Sequence, residues 1–272
     1  MSSLRDLQLK ELEMLRFYVE FCEKHNLRYY LLGGTLLGAV RHGGFIPWDD
    51  DVDVCMPRGD YNKFLKLANE EFKSPLSVNN YDITPGYTYS FARISDSTMH
   101  VINYSANNPR REEISIDIIP LDALPDSKFK RNVHKLRLSF WWNLNQLAQF
   151  DELVNQKRKR SKKGQILVKL ASKFKWIGKK INVQHCLTKL NQALAKYDYD
   201  SDTEEVINFL AALGFKEIFP RKSIGNGKLY NFEGESLVGP VDYDTICRII
   251  YGDYMTLPPE NERNWHNTEI VD

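Results

Sequence analysis

The sequence predicts an α+β fold, in which a mixed sheet is flanked by helices and the C-terminal part is mainly helical. Two patterns support this prediction. Before Pro125, short apolar or alternating segments that favour strands lie between longer segments with helical periodicity. After Lys128, the helical pattern continues to about Ala195. With 42% apolar and 27% charged residues over 272 positions, the composition is that of a globular protein with a sizeable core.

The first predicted elements are a helix, a strand and a second helix. Apolar residues recur at helical spacing over residues 4–25, which predicts an amphipathic helix. Residues 28–32 (RYYLL) are apolar and aromatic, so they favour a strand that ends in a turn at Gly33 and Gly34. Residues 35–41 (TLLGAVR) then favour a helix that begins directly after the glycines.

The remaining elements alternate at first and then become mostly helical. Residues 51–56 (DVDVCM) and 113–119 (EISIDII) alternate polar and apolar side chains, so both favour strands with their carboxylates on one face. Residues 87–94 also have strand character. The helical segments are predicted at residues 58–72, from 128 to about 195, at 204–213 and from Tyr243 onward.

The cysteines and the lack of long apolar runs indicate in which cellular compartment the protein is found. The four cysteines are scattered and form no CxxC pair, which is typical of buried, reduced thiols in a reducing environment. The first residues lack the apolar stretch of a signal peptide, and no apolar run approaches the roughly 20 residues that cross a bilayer. We therefore expect a cytoplasmic protein, with peripheral attachment to the inner face of the cell membrane left open.

A run of aspartates after a glycine pair predicts a cation site. Asp51 and Asp53 alternate on one predicted strand and can grip one or two divalent cations, and Asp117 on a later strand would supply a third carboxylate. Gly33 and Gly34 at a helix start would let backbone N–H groups approach a phosphate. The alternatives for the acidic run are a solvated turn or a calcium loop, but adjacent aspartates repel one another and favour a nearby cation or basic partner.

In this order, the glycine pair, the DxD motif and the third acidic residue resemble the nucleotidyltransferase superfamily signature. The stretch LLGGTLLGAVRHGGFIPWDDDVDVCMPRGDYNKF is similar to the LicD family signature, as are SIDIIPLD, YGDYMTLPP and, less strongly, FARISDSTMHVI. The resemblance extends from about Tyr29 to Pro259. It implies a nucleotidyltransferase-like fold, a divalent metal (Mg²⁺ or Mn²⁺) and transfer of phosphocholine from CDP-choline to a sugar hydroxyl of a cell-surface glycan precursor, such as teichoic acid.

The resemblance assigns the metal and catalytic roles to Asp51, Asp53 and Asp117. Asp117 could also act as general base on the acceptor hydroxyl. Asp49 and Asp50 are either supporting residues or part of a solvated turn. The roles of Asp253 and His266 stay open.

Several residues are candidates for binding the donor phosphates. By motif match, Gly33, Gly34 and Thr35 would cradle them. Arg41 and His42, at the end of the same predicted helix, would stabilise the donor's charge or merely cap the helix. Arg93 lies between apolar neighbours on a predicted strand, where its charge needs a partner, and either a phosphate or a structural ion pair would serve.

Choline is a quaternary ammonium, and such cations are bound by aromatic faces. Trp48 adjoins the aspartates and is the aromatic residue best placed by sequence to bind it. The further candidates, each of which could instead be a core residue, are Trp141, Trp142, Tyr87 and Tyr89.

The stretch 157–181 is rich in lysine and arginine and contains no acidic residue. Its apolar residues fall at helical spacing: Ile166, Leu167, Leu170, Phe174, Ile177 and Ile181. A basic amphipathic helix is typical of proteins that bind an anionic membrane surface. The alternative is a charged solvent face above an apolar stripe that packs into the core. Nucleic-acid binding is not expected, because no recognition motif accompanies the stretch.

The predicted organisation follows from these motifs. Residues 1–125 would form the nucleotidyltransferase-like catalytic core, and residues 126–272 a mainly helical part that completes the substrate site. The boundary is soft, and one compact unit is the alternative. The expected partners are CDP-choline and a lipid-linked glycan acceptor. Alternative functions are transfer of another phosphoalcohol such as ribitol phosphate, transfer of a nucleotidyl group, or a non-catalytic module that binds membrane or glycan.

Overall fold

The computed structural model describes residues 3–104, 109–154, 162–260, 263 and 268–271. The predicted α+β fold, with a mixed sheet flanked by helices, is confirmed. The strands are β1 (Tyr30–Leu31), β2 (Asp53–Pro57), β3 (Leu76–Asn79), β4 (Ala92–Asn103), β5 (Arg110–Ala123), β6 (Glu205–Ile207), β7 (Ile218–Pro220), β8 (Lys228–Phe232), β9 (Glu235–Gly239) and β10 (Thr268–Val271).

Helices surround this sheet and make up most of the chain between Lys128 and Leu194. They are α1 (Leu4–Lys24), α2 (Gly33–His42), α3 (Arg58–Glu71), α4 (Lys128–Ala148), α5 (Phe150–Leu153), α6 (Lys162–Gly178), α7 (Val183–Leu194), α8 (Arg221–Ile224) and α9 (Tyr243–Tyr251). A short 3₁₀ turn, Gly214–Lys216, precedes β7. Within the described ranges, no helix combines the length and apolar content needed to cross a bilayer.

The centre of the sheet is formed by β2, β5 and β4. β2 pairs with β5 in parallel and β4 pairs with β5 in antiparallel orientation. In this register Asp53 is paired with Asp117, and Asp117 is paired with Arg93. Because paired residues on neighbouring strands point to the same face, three of the predicted site residues lie side by side.

Helix α1 is held by a capping box and by an apolar stripe. The Ser3 hydroxyl accepts a hydrogen bond from the Asp6 N–H, and the Asp6 carboxylate accepts one from the Ser3 N–H. The stripe that includes Leu12 and Leu15 is buried and packs against β5. Two polar residues, Gln8 and Glu11, lie on the same buried face.

The predicted helix at residues 204–213 is wrong. Residues 205–207 form β6, which pairs with the end of β5 and with β7, and a turn and the 3₁₀ turn follow. Val206 and Ile207 are completely buried in this position, so sheet pairing and burial override the local helical pattern. Since β6, β7 and β10 also join the sheet, strands from both sides of Pro125 share it.

Two other predicted strands are present in the structure, but they begin or end at different residues from those predicted. The segment predicted at 87–94 becomes β4 only from Ala92 and runs on to Asn103. The segment predicted at 51–56 becomes β2 from Asp53, so Asp51 lies in the loop before the strand. The helix predicted from Tyr243 is confirmed as α9, and all four cysteines are buried free thiols, as predicted.

Candidate active site

A cleft of about 690 Å³ opens in front of β2 and the start of α2. One wall carries Gly33, Gly34 and the acidic loop of Asp49, Asp50 and Asp51, together with Asp53. The opposite wall is built by the end of α9 and by residues 253–259, which contain most of the YGDYMTLPP block. The cleft therefore joins the acidic strand to a segment about 200 positions later in the chain.

A second, smaller cavity of about 200 Å³ lies on the other side of the acidic loop. Asp117, Arg93 and Glu11 line it, and Asp50 and Asp51 line both this cavity and the cleft. The acidic loop is therefore accessible from two sides. Such an arrangement can present a donor from one side and an acceptor from the other.

Asp53 is held in place through its backbone. Its N–H donates a hydrogen bond of 2.8 Å to the hydroxyl of Thr35, and its carbonyl accepts one of 3.4 Å from the N–H of Leu32. Burial, followed by the charges of Asp51 and Asp117, raises the pKa of Asp53 well above its ordinary value. Placing several carboxylates together lowers the stability of the fold, and a cation bound among them would offset this loss.

The glycine pair makes room for two of these carboxylates. Gly33 has a φ of +57°, and a Cβ there would lie 2.9 Å from Oδ2 of Asp53. A Cβ on Gly34 would lie 2.5 Å from Oδ2 of Asp49. Both glycines line the cleft, and they let the aspartates approach the start of α2. Their role as a phosphate cradle stays a prediction.

Arg93 forms the structural ion pair that was one of its two predicted roles. Its Nε donates to Oδ1 of Asp117 at 2.8 Å, and its Nη1 donates to Oε2 of Glu112 at 2.9 Å. The guanidinium also lies 3.8 Å from the centre of the Tyr89 ring. Arg93 therefore positions Asp117 and borders the small cavity, not the cleft.

The other three side chains proposed for the donor phosphates occupy different places. Arg41 lines the cleft, and its Nη1 donates to the carbonyl of Tyr254 at 2.6 Å, which ties α2 to the opposite wall. Thr35 is buried and engaged with the Asp53 backbone. His42 is exposed and packs edge-on against Trp48, with ring centres 6.2 Å apart.

Trp48 lines the cleft close to the aspartates, whereas the other four aromatic candidates do not. The guanidinium of Arg263 lies 4.4 Å from the centre of the Trp48 ring, so this indole already presents a face to a cation. Trp141 and Trp142 pack against other aromatic rings, and Tyr87 and Tyr89 contact each other near Arg93.

The sequence left open the roles of Asp49 and Asp50 in the acidic loop and of Asp253 and His266 near the C-terminus. Asp49, Asp50 and Asp253 all line the cleft, and Asp253 is exposed. Asp253 accepts a hydrogen bond of 2.7 Å from the hydroxyl of Thr256. His266 lies outside the described residues.

The donor set fits a hard divalent cation. Asp51, Asp53 and Asp117 offer only oxygen ligands, which Mg²⁺ and Mn²⁺ prefer. Burial, followed by the charges of Asp51 and Asp117, raises the pKa of Asp53, and a cation among these carboxylates would stabilise their ionised forms. Among the described residues, no three His, Cys, Asp or Glu side chains already stand in metal-binding geometry.

Sequence patterns did not point to several polar residues at the site. Glu217 is buried in the cleft wall and accepts hydrogen bonds from Asn208 (2.7 Å) and from the Leu213 N–H (3.1 Å). Burial raises the pKa of Glu217 to about 7, although these hydrogen bonds act in the opposite direction. Gln8 and Glu11 could have been recognised from the sequence as candidate site residues, because these two polar residues interrupt the apolar face of α1.

Comparison with known proteins identifies the domain that contains this site. Residues 26–120, which include both glycines, Asp51, Asp53 and Asp117, match the family described as "LicD/FKTN/FKRP, nucleotidyltransferase domain". The chain carries a LicD-family domain. The resemblance inferred from the sequence motifs is thereby confirmed.

The proteins that are similar to this chain differ in how much of it they match. The lipopolysaccharide cholinephosphotransferase LicD of Haemophilus influenzae is 27% identical over 98% of this chain and 97% of its own length. The human ribitol 5-phosphate transferase FKRP is 55% identical, but over 25% of this chain and 14% of its own length. The mannosyltransferase regulator 4 of Saccharomyces cerevisiae is 29% identical over 42% of this chain and 9% of its own length.

Proposed function

We propose that this protein transfers phosphocholine from CDP-choline to a sugar hydroxyl of a cell-surface glycan precursor and releases CMP. The observation that carries the proposal is the cleft itself, in which a cluster of carboxylates faces the same space as an indole that already holds a cation. The similarity to a cholinephosphotransferase over nearly the whole chain supports the same substrate.

The two ends of the cleft match the two ends of a choline-bearing diphosphate. The trimethylammonium group would lie on Trp48, in place of the Arg263 guanidinium, since both are cations that bind aromatic faces. The diphosphate would lie against the backbone N–H groups at the start of α2, with Arg41 on the same side of the cleft. The acidic loop would then lie beside the reacting phosphorus.

The carboxylates of Asp51, Asp53 and Asp117 would hold a divalent cation. When bound, this cation would neutralise charge on the diphosphate and on the leaving CMP. The acceptor hydroxyl oxygen forms a bond to the choline-bearing phosphorus, the bond from that phosphorus to the bridging oxygen breaks, and CMP leaves with that oxygen. The hydroxyl proton passes to a carboxylate, for which Asp117 is the candidate because it faces the small cavity.

This function predicts release of CMP from CDP-choline in the presence of Mg²⁺ and a suitable glycan acceptor. Phosphocholine should appear on the acceptor in equal amount, and removal of Mg²⁺ by EDTA should abolish both products. The measurement is CMP by chromatography together with acceptor mass. Absence of CMP release with every acceptor would instead favour a non-catalytic module.

A second candidate is transfer of ribitol phosphate, which is favoured by the 55% identity to FKRP over 69 residues. It differs from the first in the donor, so parallel assays with CDP-choline and CDP-ribitol separate the two. Release of CMP from CDP-ribitol alone would contradict the phosphocholine proposal. Transfer of a nucleotidyl group would leave CMP covalently attached to the acceptor.

We also propose that the acceptor is a lipid-linked precursor, such as that of teichoic acid, and that the protein meets it at the inner membrane face. Helix α6 exposes Ile166, Phe174, Trp176 and Ile177, whose side chains are 58, 50, 60 and 39% accessible. In the alternative interpretation, the apolar stripe packs into the core, and Ile166, Phe174 and Ile177 would be buried. Their exposure does not agree with that alternative. Residues 155–161, at the start of the basic stretch, and the side chains of Leu167 and Leu170 lie outside the described part.

A neighbouring helix extends this apolar, basic surface. α4 packs against α6, contains no acidic residue and exposes Phe129, Leu136 and Phe140. Exposed lysines accompany the apolar side chains of α6, among them Lys169 and Lys173. Apolar side chains that insert beneath lipid headgroups, with cations at the anionic surface, are the two components of peripheral membrane binding.

The double variant Phe174→Asn/Trp176→Asn is therefore expected to bind vesicles containing phosphatidylglycerol at least about tenfold more weakly than the unmodified protein. The measurement is co-sedimentation at low and high salt, and high salt should weaken binding of the unmodified protein. Leu229→Asn, which changes an exposed apolar residue of β8, is the matched control. Equal binding of all three proteins would contradict the membrane proposal.

A further inference from the structure

Glu11 is a buried carboxylate with an unusual environment. It lies on the core-facing side of α1, is only 2% accessible and borders the small cavity behind the acidic loop. Its Oε2 has no hydrogen-bond partner among the described residues. A buried carboxyl without a partner is destabilising, and burial, followed by the charge of Asp51, raises the pKa of Glu11 well above its ordinary value. The position of Glu11 therefore requires an explanation.

The nearest protein cations do not supply the missing partner. Arg93 borders the same cavity, but its Nε and Nη1 are engaged by Asp117 and Glu112. Lys10, the neighbour of Glu11 in sequence, pairs with Asp96 at 2.8 Å and with Glu13 at 3.1 Å. Neither cation has a described contact with Glu11, so a cation that binds in the small cavity would supply the pairing charge for this carboxylate.

The same helix also fixes the acidic loop. Gln8 lies three positions before Glu11, so both side chains lie on one face of α1. The Gln8 amide donates hydrogen bonds to the carbonyls of Asp49 (3.0 Å) and Ile46 (3.3 Å). Contact with α1 thus sets the position of the loop relative to Glu11, and Asp50, Asp51 and Asp117 border the cavity that Glu11 enters.

We infer that Glu11 is a fourth carboxylate of the divalent-cation site, supplied by α1 through the small cavity and acting with Asp51 and Asp117. The inference rests on the cation site of the proposed function, and it adds a ligand that lies outside the glycine and DxD motifs and outside residues 26–120. An oxygen-only set of this kind selects Mg²⁺ or Mn²⁺ over softer metals.

The test is Mn²⁺ binding to the full-length protein, measured by electron paramagnetic resonance of the free ion and by the rise in melting temperature with added Mn²⁺. Glu11→Gln keeps the shape of the side chain but removes its charge. It is expected to weaken Mn²⁺ binding at least about tenfold and to reduce the metal-induced rise in melting temperature. Without metal, the variant should melt at the same or a higher temperature, because a neutral amide replaces a buried carboxyl whose pKa is raised.

Glu13→Gln is the matched control, because Glu13 lies on the same helix with a 70% accessible side chain. It should bind Mn²⁺ like the unmodified protein. If Asp53→Asn loses Mn²⁺ binding and Glu11→Gln does not, the inference is overturned while the proposed function stands. If the unmodified protein binds no Mn²⁺, the cation site fails and the inference fails with it. A purely structural role for Glu11 would lower the melting temperature without metal and leave Mn²⁺ affinity unchanged.

Discussion

Replacing Asp53 with asparagine is expected to lower phosphocholine transfer by about 10³-fold while the protein stays folded. Asp53 stands at the start of β2, in register with Asp117 and against Gly33. A metal ligand that acts on a transferring phosphoryl group contributes several kcal/mol to the transition state, and about 4 kcal/mol corresponds to 10³-fold in rate. Asparagine keeps the shape of the side chain but loses the charge.

The same variant should be more stable than the unmodified protein when no cation is present. Burial and the charges of Asp51 and Asp117 raise the pKa of Asp53, so the folded protein binds this proton more tightly than the unfolded chain. The carboxylate therefore costs stability as the pH rises above about 4, the ordinary pKa of aspartate. The stability advantage of Asp53→Asn should be absent below that pH and grow above it.

The measurements are CMP release with Mg²⁺ and melting temperature in EDTA between pH 4 and 8. Asp202→Asn, at an exposed position away from both cavities, is the matched control and should leave both quantities unchanged. Full activity of Asp53→Asn with Mg²⁺ would remove Asp53 from the active site. A stability advantage that does not depend on pH would contradict the argument from charge.

Replacing Arg58 with methionine is expected to reduce the free energy of unfolding by about 3–5 kcal/mol. Arg58 begins α3 and donates from Nε and Nη2 to both carboxylate oxygens of Asp122, at 2.6 and 2.7 Å. The two side chains are 8% and 1% accessible. Burial acts to raise the pKa of Asp122, so without the arginine this carboxylate is left buried and unpaired.

Denaturant unfolding measures this loss, and the melting temperature should fall by about 10 °C. Arg16→Met is the matched control, because Arg16 pairs with Glu235 at 2.7 Å but both side chains are exposed, and it should cost less than about 1 kcal/mol. The double variant Arg58→Met/Asp122→Leu should recover much of the stability, since an apolar pair leaves no buried charge. A double variant as unstable as Arg58→Met would show that packing, not the unpaired charge, causes the loss.

The candidate site shows which kinds of inference from sequence succeed. The pairing of Asp53 with Asp117 agrees with the predicted alternation, because alternation along a strand is a local property that fixes which face a side chain takes. Their catalytic roles stay predictions. The role of the glycines was found only in part. They lie at the start of α2 and line the cleft, but the close approach of the Asp49 and Asp53 carboxylates depends on how the acidic loop folds back over α2.

The prediction at residues 204–213 failed for a related reason. Helical periodicity is a weak local preference, whereas pairing with β5 and burial of Val206 and Ile207 are long-range contributions that outweigh it. The exposure of Phe174 and Ile177 on α6 likewise could not be predicted, because an apolar stripe has the same spacing whether it faces a core or a membrane.

By itself, the sequence determined several elements and the family resemblance: α1, α3 and α9, the acidic strand and the glycine pair before it. Only the tertiary structure decided which of these meet. The register of β2, β5 and β4 places Asp53, Asp117 and Arg93 in one row, and the packing of α1 brings Glu11 beside Asp51 and Asp117. Register and helix packing are set by the burial of the whole core, and no local pattern encodes contacts between residues about 100 positions apart.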